Sequence, residues 1–181
     1  MYGLVNQGIG KMVTDNFGRE KWEEICARAG TEDVFVGMEY YPDEVTLKLM
    51  GAACDVFGIA QFDLLRNFGQ WWVGFANEVY SDLFTMSGST FIEFVKNLND
   101  LHTRVARIMP KLNPPSFEVL SESEDSFELH YRSIRPGLLY PMVFGLIEGI
   151  GKHFNTEIRV TYLGGSDKGL DYEKYHVWYR A

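Results

Sequence analysis

Phe127-Glu128-Leu129-His130-Tyr131-Arg132-Ser133-Ile134-Arg135-Pro136 is where the chain passes from helical to extended patterning. Its alternation predicts a strand from Phe127 to Ile134, paired with Phe117 to Leu120 around a polar, acidic turn. Side chains at i, i+2 and i+4 of a strand project from one face. Tyr131, Ser133 and Arg135 are therefore expected to point the same way, presenting two hydroxyls and one permanently charged guanidinium. That set suits a carboxylate pair or a phosphate, because Arg binds such oxygens through two parallel hydrogen bonds. Pro136 disfavours a helical conformation at Arg135 and is expected to keep it extended.

Toward the N-terminus the spacing is helical. Val5, Ile9, Met12 and Val13 form one apolar stripe, closed at Gly18. Trp22, Ile25, Cys26 and Ala29 form a second, closed at Gly30. Asp43 is the expected N-cap of a helix to Phe57, with Gly58 beyond its end. Gln61 to Tyr80 predicts an aromatic-rich helix, and Thr90 to Met109 a long one. Pro110, Pro114 and Pro115 then stop helical structure. On the other side, Leu138 to Phe154 predicts a helix packed on the sheet. Glu157 to Leu163 and Tyr175 to Tyr179 alternate as strands, separated by the turn-rich Gly164-Gly165-Ser166-Asp167. The expected fold class is α+β: a mainly helical N-terminal part, then an antiparallel sheet with packed helices. The change of character near residues 110 to 116 marks subdomains within one domain, not independent domains.

The chain has 181 residues, enough for a substantial core. Aromatic residues make up 15%, a density that serves a core or lines a pocket for a large flat ligand. Seventeen basic residues against 25 acidic give a net charge of −8, which argues against nucleic acid and suits a basic protein partner. Cys26 and Cys54 lack metal-type spacing and read as buried thiols of a reduced compartment, with a disulfide as the alternative. The start lacks a signal peptide, and no apolar run approaches the ~20 residues needed to span a bilayer. No membrane insertion and a cytoplasmic location are expected.

The predicted helix from Thr90 to Met109 places Phe91, Phe94, Val95, Leu98, His102, Val105 and Met109 on one face. His102 thus falls within an apolar stripe. It reads either as a core histidine with one ring nitrogen satisfied or as an axial ligand to haem iron, a role suited to a neutral imidazole. No His-Glu-x-x-His, Cys-x-x-Cys or carboxylate cluster offers a rival metal site. Haem connects the two observations: its faces need apolar walls, and its propionates need the donors of Tyr131, Ser133 and Arg135. The runs Gly8-Ile9-Gly10-Lys11 and Gly149-Ile150-Gly151-Lys152 lack phosphate-loop spacing and predict close helix packing.

Tyr131-x-Ser133-x-Arg135, Leu101-His102, Pro114-Pro115 and the opening Met1-Tyr2-Gly3-Leu4-Val5-Asn6 together resemble the H-NOX family, the haem nitric oxide/oxygen-binding domains that include the haem domain of soluble guanylate cyclase. The resemblance runs along essentially the whole chain. It implies a single haem domain over residues 1–181, with a helical subdomain over 1–60, a haem-binding subdomain over 61–181, and haem b buried between them. It implies that His102 is the proximal iron ligand and that Tyr131, Ser133 and Arg135 hold the propionates. Pro115 would press on the porphyrin, Val5 would touch the haem from the N-terminal subdomain, and Trp72 would lie on the distal side.

Oxygen-binding members of the family carry a distal tyrosine in the helix after the triplet. Aligned on Gly145-Leu146-Ile147-Glu148-Gly149, that position is Met142, a poor donor. Tyr140 lies two residues away, a large rotation on a helix. The expected ligand is therefore nitric oxide, with carbon monoxide or oxygen as alternatives. The implied mechanism is loss of the iron–His102 bond, which relaxes the long helix and shifts the subdomains. The implied partner is a histidine kinase, diguanylate cyclase or guanylate cyclase, reached in trans or as part of a larger receptor. Competing expectations are an oxygen-binding haem sensor, a haem peroxidase-type enzyme and a haem-free interaction module.

Overall fold

The computed structural model describes residues 1–135 and 139–180, so Pro136 and the expected helix start at Leu138 lie outside the described residues. The chain divides into two compact units, Met1–Phe68 and Gly69–Ala181.

The first unit holds α1 (Gly3–Phe17), α2 (Arg19–Ala29), α3 (Asp43–Phe57) and the first residues of α4 (Gln61–Val79). The apolar stripes bury as their periodicity requires: Ile9 and Val13, Trp22 and Ile25, Leu49 and Ala53 make its core. Gly30 and Gly58 follow α2 and α3 in the left-handed conformation, at φ of 65° and 63°, where a side chain would be strained. Asp43 is the first residue of α3 and not its cap; its carboxylate receives the Met1 ammonium at 2.7 Å.

The second unit continues α4 and adds α5 (Ser81–Thr85), α6 (Phe91–Lys96), α7 (Leu98–Ile108), β1 (Ser116–Leu120), β2 (Ser126–Arg132), α8 (Tyr140–His153), β3 (Glu157–Gly164) and β4 (Glu173–Arg180). The expected single helix over Thr90 to Met109 is in fact two. The break falls at Asn97, whose side-chain amide donates to the Ser87 carbonyl at 2.9 Å and ties the junction to the preceding loop. The four strands form one antiparallel sheet in the order β1-β2-β4-β3. Phe117, Phe127, Leu129, Tyr131, Tyr175 and Val177 are its buried apolar side chains, and α8 packs on β3 while α6 and α7 pack on β1. The α+β class expected from the patterning is the observed one.

Glycine sets the spacing of α4 and α8. A methyl group on Gly69 would run into the Met142 carbonyl, and one on Gly149 would come within 2.8 Å of the Gln70 carbonyl. This is the close helix packing expected of the second glycine run. Among the described residues no single helix is long and apolar enough to cross a membrane.

Candidate functional site

His102 sits on α7 between the buried Leu101 and Val105. Its ring faces Phe117 of β1, with centroids 5.8 Å apart. Burial lowers its pKa, and the Pro115 carbonyl works the other way; the net effect favours the neutral imidazole, the form that can give a lone pair to a metal. Its Nδ1 is buried without a hydrogen-bond partner. An orphaned polar atom is uncommon in a folded interior and calls for an explanation.

Asn99, three residues before His102, fixes α7 to β1. Its side chain donates to the Phe117 carbonyl at 2.7 Å and accepts from the Phe117 N–H at 2.9 Å. Sequence patterning did not single out this residue. An Asn inside a helix is a mild signal, because its amide tends to seek backbone partners. Replacing Asn99 with Ala removes both bonds and is expected to cost about 2 kcal/mol, read as a lower urea midpoint.

Beyond Phe117 the row of rings continues to Tyr131, 5.3 Å away in the neighbouring strand. Tyr131 is buried, but β2 ends at Arg132 and the chain bends through Ile134 and Arg135. The expected strand through Ile134 thus stops two residues early, and strand alternation does not align the triplet. Ser133 is the physical reason: its hydroxyl accepts the Arg135 N–H at 3.1 Å, a local bond that competes with the ladder. The bend nevertheless gathers the three residues. Burial raises the Tyr131 pKa, while its side-chain hydrogen bond with Ser133 and the charge of Arg135 oppose that rise.

A buried carboxylate stands beside this group. Glu173 of β4 pairs with Tyr131 in register and accepts from the Tyr162 hydroxyl and the Ser166 hydroxyl, each at 2.6 Å. Nothing in the sequence pattern separated it from other strand glutamates. Pro114 and Pro115 are half-buried and lead directly into β1.

Trp72 lies on α4, half-buried, its ring 5.4 Å from Phe75. Met142 is in the first turn of α8, its carbonyl against Gly69, one helical turn before Trp72 on α4. Tyr140 turns its ring onto Tyr162 of β3 at 5.0 Å, and its carbonyl accepts the Tyr175 hydroxyl at 3.0 Å. Val5 lies on α1 of the first unit, half-buried.

Among the described residues no three His, Cys, Asp or Glu side chains converge to hold a metal ion. A lone imidazole suits a metal that brings its other ligands with it, as the iron of haem does. The orphaned His102 Nδ1, the apolar row and the hydroxyl–guanidinium group fit that cofactor.

The family model described as haem-NO-binding matches residues 2–162. The chain belongs to this family, the H-NOX domains. Soluble guanylate cyclase gcy-31 of Caenorhabditis elegans is 32% identical over 166 residues, covering 90% of this chain and 24% of its own length. Soluble guanylate cyclase gcy-33 of the same organism is 30% identical over 171 residues, covering 93% of this chain and 18% of its own. The H-NOX chain thus spans a quarter or less of the length of these relatives. Among solved structures, an H-NOX protein from S. oneidensis in the Fe(II)NO ligation state superposes with a TM-score of 0.89 at 19% identity, covering 100% of both chains. The Fe(II) unliganded H-NOX protein from K. algicida gives 0.85 at 20%, covering 100% of this chain and 97% of its own. At those identities the likeness establishes the fold alone. As an H-NOX domain, the chain is a haem-based gas-sensing domain.

Proposed function

We propose that this H-NOX domain holds haem b on His102 and senses nitric oxide in preference to oxygen. The observation that carries the reading is the half-buried His102 ring, whose Nδ1 is buried without a hydrogen-bond partner, joined through Phe117 to Tyr131. Tyr131, Ser133 and Arg135 are the proposed propionate holders, residues 61–181 the proposed haem-binding subdomain and residues 1–60 the proposed helical one. Pro115, Val5, Trp72 and Met142 are proposed to contact the macrocycle or the gas.

When bound, the haem would supply a ferrous iron able to take a diatomic gas, with His102 as the protein group that would hold it. The chain's own part is to hold α7. Two ties are assigned to that helix, His102 and the Asn99 bonds to Phe117. With His102 released, α7 would stay held to β1 through Asn99 and could adjust about that anchor. A gas that binds the two states with different affinity shifts the balance between them.

Selectivity rests on Met142 standing where oxygen-binding members carry a tyrosine. A thioether at Met142 accepts weakly and donates nothing, and the Tyr140 ring packs on Tyr162. Oxygen bound to ferrous iron gains negative charge and depends on a donor; nitric oxide depends on one far less. The expected result is a ferrous visible spectrum that air changes only by slow oxidation, and that nitric oxide would convert to the form without histidine ligation. A stable, reversible change in air would transfer the assignment to oxygen.

The signalling partner is proposed to be a cyclase or histidine kinase, on the same chain or a separate one, in the cytoplasm. The soluble guanylate cyclases among the relatives favour a cyclase.

A further inference from the structure

Inside the first unit, between α1, α3 and the start of α4, lies a partly enclosed cavity of about 280 Å3. Ile9 and Val13 from α1, Ala53 from α3, and Leu65 and Phe68 from α4 form its walls. Asn67 is the one polar residue among those lining it. We propose that this cavity is a binding site for a small, uncharged, apolar molecule of aromatic-hydrocarbon size. The inference does not depend on the haem reading, since none of the lining residues is one proposed to hold the haem or meet the gas.

Protein interiors are close-packed, and voids larger than a water molecule are few. The cost of leaving apolar space empty rises with its volume. Apolar cavities of about 150 Å3 take up benzene or xenon, and this one is nearly twice that size. Its lining excludes an ionised ligand, because a buried charge without a partner is strongly unfavourable. Met12 and Met50 contribute unbranched, adaptable walls that can follow ligands of different outline.

Two features keep the space open and reachable. Ala53 stands three residues after Met50 and four before Phe57 on the cavity face of α3, where a leucine would occupy much of the volume. Among the lining residues, Phe17 and Phe57 meet ring to ring with centroids 4.5 Å apart, and Phe17 is 55% exposed. Each is the last residue of its helix, followed by Gly18 at φ 87° and Gly58 at φ 63°. The aromatic pair is thus carried on helix ends, where its rings can part without disturbing a helix interior.

The seven methionines make the test site-resolved. With 13C-methyl methionine in the haem-loaded, carbon monoxide-bound and therefore diamagnetic chain, benzene should move the Met12 and Met50 methyl resonances along one saturation curve. The methyls of Met1, Met38, Met86, Met109 and Met142 should stay in place, and benzoate should move none. Ala53→Leu, checked for unchanged far-ultraviolet dichroism, should weaken binding by about tenfold or more. The proposal is overturned if Met12 and Met50 stay still at saturating benzene, or if the shifts centre on Met109 or Met142. A folded Ala53→Leu chain that binds equally well would also overturn it. Should that variant fail to fold, the benzene-against-benzoate pattern of the unsubstituted chain decides alone.

Discussion

A His102→Gly variant is expected to purify with little haem and to regain it when imidazole is supplied in the medium. The expectation follows from the site's arithmetic. His102 is the one protein ligand proposed for the iron, and no alternative cluster converges among the described residues. Glycine leaves a space beside Phe117 shaped for an imidazole, so the free base can take the vacated place without the tether to α7. The variant's haem-free form should be close to wild type in stability. Truncation costs packing against Phe117 and a helix-interior glycine costs about 1 kcal/mol, but it also removes a buried, unsatisfied Nδ1. Haem content by pyridine haemochrome and the ferrous spectrum with and without imidazole decide the matter. An unchanged ferrous spectrum without imidazole would remove His102 from the iron. Toward its partner, the imidazole-rescued variant should behave as the nitric oxide-bound wild type does, even without gas.

The second large effect is expected at Arg135. Hydrogen bonds to charged groups contribute about 1.5–3 kcal/mol, and 1.4 kcal/mol is a factor of ten. Arg135→Ala should therefore release haem to an acceptor such as apomyoglobin roughly ten to a hundred times faster than wild type. Tyr131→Phe should act more weakly through its lost hydroxyl, by a few-fold, because the buried ring against Phe117 is retained. The order of the two effects matters as much as their size. If Arg135→Ala held haem as long as wild type, the triplet would not be the propionate site, and Glu173 beside it would become the group to explain.

Much of the fold is legible in the residue pattern, for definite physical reasons. The stripes through Val13, Ile25 and Leu49 repeat at helical spacing because each helix buries one face. The helix ends at Gly30 and Gly58 follow from the left-handed conformation that only glycine adopts without strain. The features that the pattern does not carry depend on partners distant in the chain. The break at Asn97 is held by Ser87, and the anchor at Asn99 by Phe117, 18 residues away. The early end of β2 has a local cause instead: Ser133 bonds to the backbone of Arg135, and an alternating pattern cannot register that.

The sequence by itself determined the α+β class, the position of His102 on an apolar helical face and the presence of the Tyr131, Ser133 and Arg135 donors, since all three are written in local spacing and residue type. The tertiary structure alone decided the sheet order β1-β2-β4-β3, the row His102–Phe117–Tyr131, the buried Glu173 and the cavity lined by Phe17 and Phe57. These depend on which faces meet, and the pairing of faces is a property of the packed chain that no single helix or strand encodes.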